Sequence, residues 1–136
     1  MRFDTKIAVA LADDLPVWQK LNVTAFLTSG LAAAHPALIG EPYGDADGVA
    51  YHALFRQPVL VLAGTRAALS RARARAHERG LKLAIYTEGV FATGHDAANR
   101  EVVAAIPTAG LDLVGLSVWG DRKLVDKALD GLTLHP

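Results

Sequence analysis

The sequence predicts an α/β layered domain built on a mostly parallel sheet. Three observations carry the prediction. Apolar runs of strand length recur along the chain, longer segments with helical capping signals alternate with them, and 136 residues of which 51% are apolar suffice for one core. Residues 1–136 are therefore expected to form a single domain.

Lys6 to Ala12 (KIAVALA) is nearly continuous in apolar character, as a central strand buried on both faces should be. Asp13-Asp14 ends it. Pro16 suits the first turn of a helix, and the segment to Ala34 is apolar almost all round, which predicts a helix buried in the domain or against a partner. His35-Pro36 stops it. Residues 36–48 concentrate proline, glycine and aspartate and read as a long loop, and VAYHALF reads as a short edge strand. Pro58 to Ala63 is a second buried strand; Gly64-Thr65 makes a turn and helix cap, and Arg66 to Arg79 a helix closed by Gly80. Leu81 to Tyr86 is a third strand, and a polar turn then leads into a helix that ends before Pro107. Leu111 to Val118 is a fourth strand, and Asp121 to Leu129 a last helix stopping near Gly131.

Composition excludes several chemistries. Lys plus Arg and Asp plus Glu number 14 each, so the formal net charge is zero and no global field draws the chain to nucleic acid or anionic membrane. Cysteine is absent, which removes disulfides, thiolate nucleophiles and thiolate-bound zinc. The five histidines, His35, His52, His77, His95 and His135, form no metal-binding spacing, so no metal is expected, and no motif calls for a cofactor. The first residues lack a signal-peptide pattern and no apolar run is clean enough to span a bilayer, so a cytoplasmic protein without membrane attachment is expected.

The densest polar stretch is YTEGVFATGHDAANRE, Tyr86 to Glu101. Thr93-Gly94-His95-Asp96 has the spacing of a capping box, and Asp96 and Arg100, like His95 and Asn99, fall four apart on one helical face. Helix construction alone accounts for these residues. The functional reading makes the helix N-terminus an anion or oxyanion site surrounded by His95, Thr93 and Glu88, just beyond a strand's C-terminal end. Lys20 opposes the dipole of its own helix and stands near another strand end, where Asp13 or Asp14 is within reach. Arg71, Arg75 and Arg79 form a basic stripe, read as a solvated face or as phosphate contacts. Trp18 and Trp119 are expected near one sheet edge, as packing anchors or as stacking platforms.

Several segments in order resemble the type II peptidyl-tRNA hydrolases over nearly the whole chain. They are Lys6 to Leu11 followed by Lys20 and the buried helix, GLKLAI at Gly80 to Ile85, and DLVGLS from Asp112 leading to LVDKALDGLTL from Leu124. The resemblance implies a three-layer α/β/α domain around a mixed four-stranded sheet, a homodimer, and a catalytic surface that includes Lys20. Where that family has aspartate-alanine-glycine after the third strand, this chain has Thr87-Glu88-Gly89. The stretch from Tyr86 to Arg100 looks more like a related bacterial family catalogued only as a domain of unknown function.

Two functions follow as expectations. One is a hydrolase or transferase on a small ester, amide or nucleotide-bearing substrate. Lys20, Glu88 and His95 would be catalytic there, with Thr87, Thr93, Gly94, Asp96, Asn99 and Arg100 binding substrate. The other is a noncatalytic dimeric ligand-binding or regulatory module. RNA contact stays open, and direct peptidyl-tRNA hydrolysis is the less favoured reading because the family's aspartate is replaced by Thr87.

Overall fold

The computed structural model describes residues 2–136. In chain order they form β1 (Thr5–Ala12), α1 (Val17–Ala34), β2 (Tyr43–Gly44), β3 (Ala50–Tyr51), β4 (Val59–Gly64), α2 (Arg66–Glu78), β5 (Leu83–Thr87), α3 (Asp96–Ala104), β6 (Leu113–Asp121), α4 (Arg122–Ala128) and β7 (Thr133–Leu134). The main sheet has five strands in the order β5-β6-β1-β4-β7. The expected four strands are thus joined by β7, a two-residue strand that pairs Leu134 with Leu62. Among the described residues no helix is long and apolar enough to cross a membrane.

The mostly parallel sheet expected from the alternation is corrected to a mixed one, which the resemblance had implied. Among the described residues only β1 and β4 pair in parallel, while β6 runs antiparallel to both β1 and β5. The cause lies in α3, which docks on the turn after β5 instead of crossing a sheet face. The chain therefore returns to β6 from the same end of the sheet, and the neighbouring strand must reverse direction. VAYHALF is likewise not an edge strand of the main sheet. Tyr51 pairs with Tyr43 in a small hairpin of its own, turned by Asp45, whose carboxylate accepts from the Asp47 and Val49 amides and the Tyr51 hydroxyl.

Side-chain alternation along the strands assigns the layers. On β6, Ser117 donates its hydroxyl to the Leu27 carbonyl of α1 at 3.0 Å, whereas Gly120, on the other face, lies under Val125 of α4. On β1, Ile7 and Leu11 lie on the α1 face, and the small Ala8, Ala10 and Ala12 leave room for α2, whose Leu69, Ala72 and Ala76 are fully buried. Helices therefore cover both faces. Of the basic stripe on α2, Arg75 is spent on structure: its guanidinium donates to the Ala128 and Asp130 carbonyls that end α4.

The approach of α1 to the sheet is set by Gly115. A Cβ there would stand 2.7 Å from Val23 Cγ1 and 2.9 Å from Leu27 Cδ1, so any side chain would push the helix outward. Gly115→Ala is expected to destabilise the protein by about 1–3 kcal/mol, the usual cost of overpacking. Denaturant unfolding measures it, and an unchanged midpoint would contradict the tight seating of α1.

Candidate functional site

β1, β4 and β5 all run in one direction, so their C-terminal ends lie at one end of the sheet. Arg66 opens α2 immediately after Thr65, whose hydroxyl caps the helix by accepting from the Ala68 amide. Its guanidinium meets three carboxylates from three different elements: Asp14 at 3.2 Å, Glu88 at 3.0 Å and Asp112 at 3.0 Å. Burial pulls the Arg66 pKa down, but the bonds to Asp14 and Asp112 outweigh it and hold the group above its ordinary value. The cluster is ionic cement across strand ends. Among the described residues no three histidine, aspartate or glutamate side chains are arranged to hold a metal ion.

A cleft lies beside this cluster, between α1 and α3, over the edge strand β5. Its outer part, about 360 Å³, has Trp18 and Phe26 of α1 on one side and Phe91, Gly94 and His95 on the other. Its inner part, about 500 Å³, continues along Ala84, Ile85 and Tyr86 to Val103 and Ala104. Tyr86 forms the shared floor, edge-on to Phe26 at 5.8 Å between centroids and tilted against Phe91 at 5.1 Å. Burial raises the Tyr86 pKa, so its phenol stays neutral and serves as an apolar wall. Trp18, by contrast, is 63% exposed although it is the largest side chain on α1.

The polar end of the cleft is organised by the start of α3. The expected threonine cap is corrected: His95 is the cap, its Nδ1 accepting from the Ala98 amide at 3.2 Å. Thr93 instead donates its one hydroxyl hydrogen to the Val90 carbonyl, and the same oxygen meets the Asn99 side-chain amide. The first arrangement fixes a donor: with Nδ1 engaged as an acceptor, the neutral His95 ring carries its proton on Nε2. The second holds the Asn99 side-chain amide against Thr93 at the mouth of the cleft.

The candidate residues fall into four groups. Thr93, Gly94, His95, Asp96 and Asn99 come together around the outer cleft, with Arg100 on the inner part, joined to Asp96 by an ion pair of 2.6 Å. Glu88 lies outside the cleft lining and is bound to Arg66. Lys20 is separate again, lining a small hollow with Leu21 and Val61 and meeting His135 Nε2 at 3.1 Å. Asp14 therefore pairs with Arg66 where Lys20 was expected. Thr87 is 1% exposed, and its hydroxyl has no hydrogen-bond partner among the described residues. The two tryptophans sit at opposite ends of the fold, because Trp119 pairs with Ile7 at the start of β1 and packs on His35 at the end of α1.

Sequence reasoning missed Arg66. The signal was the one used for Lys20, a cation in the first turn of a helix where the dipole opposes it. It also left Phe26 inside an apolar run and gave Tyr86 no role in a site, since the cleft exists only where α1 passes over β5.

The sequence profile of a family described as "Protein of unknown function (DUF2000)" matches residues 5–136. No curated protein matches the chain. Among solved structures, a protein of unknown function from Agrobacterium tumefaciens strain C58 is similar at 50% identity and a TM-score of 0.97, over 99% of this chain and 100% of that one.

Two substitutions probe the local physics. Replacing Arg66 by Met leaves three carboxylates without their cation. Stability should fall by about 1–2 kcal/mol at low salt, a value discounted because all four groups are partly exposed. The loss should shrink in about 1 M NaCl, where charges are screened within ~3 Å; a salt-independent loss would mean that packing dominates. Thr87→Val removes an unpaired buried hydroxyl at constant shape and should be neutral or stabilise by up to about 1 kcal/mol in thermal or chemical unfolding.

Proposed function

The chain belongs to the DUF2000 family of proteins of unknown function, and we propose that it acts as a ligand-binding module whose cleft takes a flat, ring-bearing small molecule. The observation that carries this reading is the cleft's combination of aromatic walls and fixed polar groups. Trp18, Phe26, Tyr86 and Phe91 offer ring faces and edges, while His95 Nε2–H and the Asn99 amide stand at one end. A nucleobase, a nucleoside or an aromatic acid has this pattern of a planar apolar body with acceptors at its edge.

Binding is favoured over hydrolysis by the state of the groups that hydrolysis needs. Glu88 is neutralised by Arg66, Lys20 is on another side of α1, and the His95 nitrogen that would take a proton is the one already accepting from the helix. In this proposal the resemblance to type II peptidyl-tRNA hydrolases is one of scaffold. The hydrolases' acidic turn has become the buried Thr87 and the ion-paired Glu88, so their chemistry does not transfer.

Self-association belongs to the same proposal. The hairpin of β2 and β3 stands exposed throughout, with Tyr43, Val49 and Tyr51 each more than half exposed. A two-stranded hairpin is marginal in water by itself, so a second copy covering it is the economical explanation of its order. The expected homodimer should dissociate on Tyr51→Asp, read by sedimentation; a wild-type monomer at tens of micromolar, on the order expected for weak dimers, would contradict it.

Titration of ring-bearing compounds such as adenosine and indole-3-acetate, followed by tryptophan fluorescence, tests the cleft. The proposal expects saturable quenching that Trp18→Ala removes. Asn99→Ala should weaken binding by roughly 5- to 50-fold, the weight of one stacking or hydrogen-bonding contact. Absence of saturable binding, or ester turnover abolished by Glu88→Gln, would favour the hydrolase reading instead.

A further inference from the structure

The two edges of the main sheet are treated differently. At the β4 edge, β7 pairs with Leu62 and Ala63, and the His135 amide donates to the Val61 carbonyl, so that edge is closed. At the other edge, β5 pairs with β6 alone, and no backbone group of Leu83–Thr87 bonds to any other element among the described residues. In an antiparallel pair every second residue turns its N–H and C=O away from its partner, so β5 carries unpaired backbone groups along its outer side. Sheet edges are ordinarily protected by charge, proline or a covering element. LAIYT has neither charge nor proline.

α3 stands beside this edge without closing on it. It docks on the turn after β5, where a Cβ at Gly89 would lie 2.6 Å from Val102 Cγ1, and that contact holds it at a fixed distance. The inner cleft is the gap that results, with Ala84–Tyr86 on one side, Val103 and Ala104 on the other and Phe26 above. Among the described residues the one ionic group lining it is Arg100, which is largely exposed and pairs with Asp96 on its own helix, so the gap itself carries no buried charge. The electrostatic complement of this gap is therefore an uncharged chain that both donates and accepts hydrogen bonds at strand spacing.

We propose that the inner cleft binds an extended, uncharged peptide segment as a sixth strand on β5. This deepens the ligand-binding reading, since it names what occupies the inner part while a ring fills the outer part. The backbone of β5 recognises the peptide amides, and the apolar walls select small or aliphatic side chains on the residues that face α1 and α3.

Selection of a displayed random heptapeptide library on the full chain, followed by titration of the enriched peptides as synthetic molecules, tests this. The expected peptides shift the amide resonances of residues 84–86. They lose about tenfold or more in affinity when alternate amides are N-methylated, and little when the intervening ones are, because only every second amide faces β5. Ala104→Trp, at an exposed position that narrows the gap, should weaken them by a similar factor while the rest of the amide spectrum stays native. Failure to enrich any peptide, tolerance of every N-methylation, or shifts confined to other surfaces would overturn the inference. So would β5-to-β5 pairing of two copies, seen as a dimer in which the amides of residues 84–86 are protected from exchange. Ring-compound binding at Trp18 with no peptide at β5 would remove this inference and leave the cleft reading intact; loss of both would remove both.

Discussion

The seating of α1 on the sheet is the constraint on which the rest depends. Gly115 lets Val23 and Leu27 reach the floor of β6, and Ser117 ties its hydroxyl to the helix backbone at Leu27. A Cβ at Gly30 would stand 3.3 Å from Ala84 Cβ, a looser but still tight approach, so the helix lies close over β5 as well. Everything on the outer side of α1 follows from that position. Phe26 comes to rest against Tyr86, Trp18 is carried to the rim, and the cleft between α1 and α3 acquires its aromatic wall. Thr24 and Thr28 turn their hydroxyls back on the helix carbonyls at Lys20 and Thr24, so these polar groups are satisfied within α1 itself.

The second organising feature is the division of labour between two neighbouring polar clusters. At the strand ends, Arg66 gathers Asp14, Glu88 and Asp112 and so locks the segments after β1, β5 and before β6 to the start of α2. Around α3, the polar groups are instead oriented by single contacts, His95 by the Ala98 amide and Asn99 by Thr93. The first cluster consumes its charges internally. The second leaves polar groups facing a concave, apolar space, and this contrast is why the cleft, and not the acidic strand ends, is the better candidate for recognition.

Much of the fold was legible in the sequence. KIAVALA, PVLVLA and most of LKLAIY are strands because their apolar runs fit burial between helix layers, with β5 starting two residues later and ending one later than expected, and Thr65 and Gly80 bound α2 as their chemistry requires. The mixed character of the sheet was legible only through the family resemblance and not from the element pattern, because an alternation of strands and helices implies parallel crossovers only if each helix covers a sheet face, and α3 does not. The site was half legible. Thr93, His95 and Asn99 were found from local helix geometry, though with cap roles exchanged, because a histidine ring nitrogen can replace the threonine oxygen as acceptor. Trp18, Phe26 and Tyr86 are 68 residues apart at their extremes in the chain and meet only through the packing of α1, which no local pattern encodes.

The central claim is that recognition resides in the α1–α3 cleft. Amide and aromatic chemical-shift mapping of the full chain against a diverse small-molecule fragment set tests it most directly, because that measurement makes no assumption about the ligand. The account predicts that perturbations concentrate on Trp18, Tyr86, Phe91 and Asn99, with ring-bearing fragments dominating the hits. Hits clustered instead around Lys20 and His135, or around Arg66 and Glu88, would contradict it.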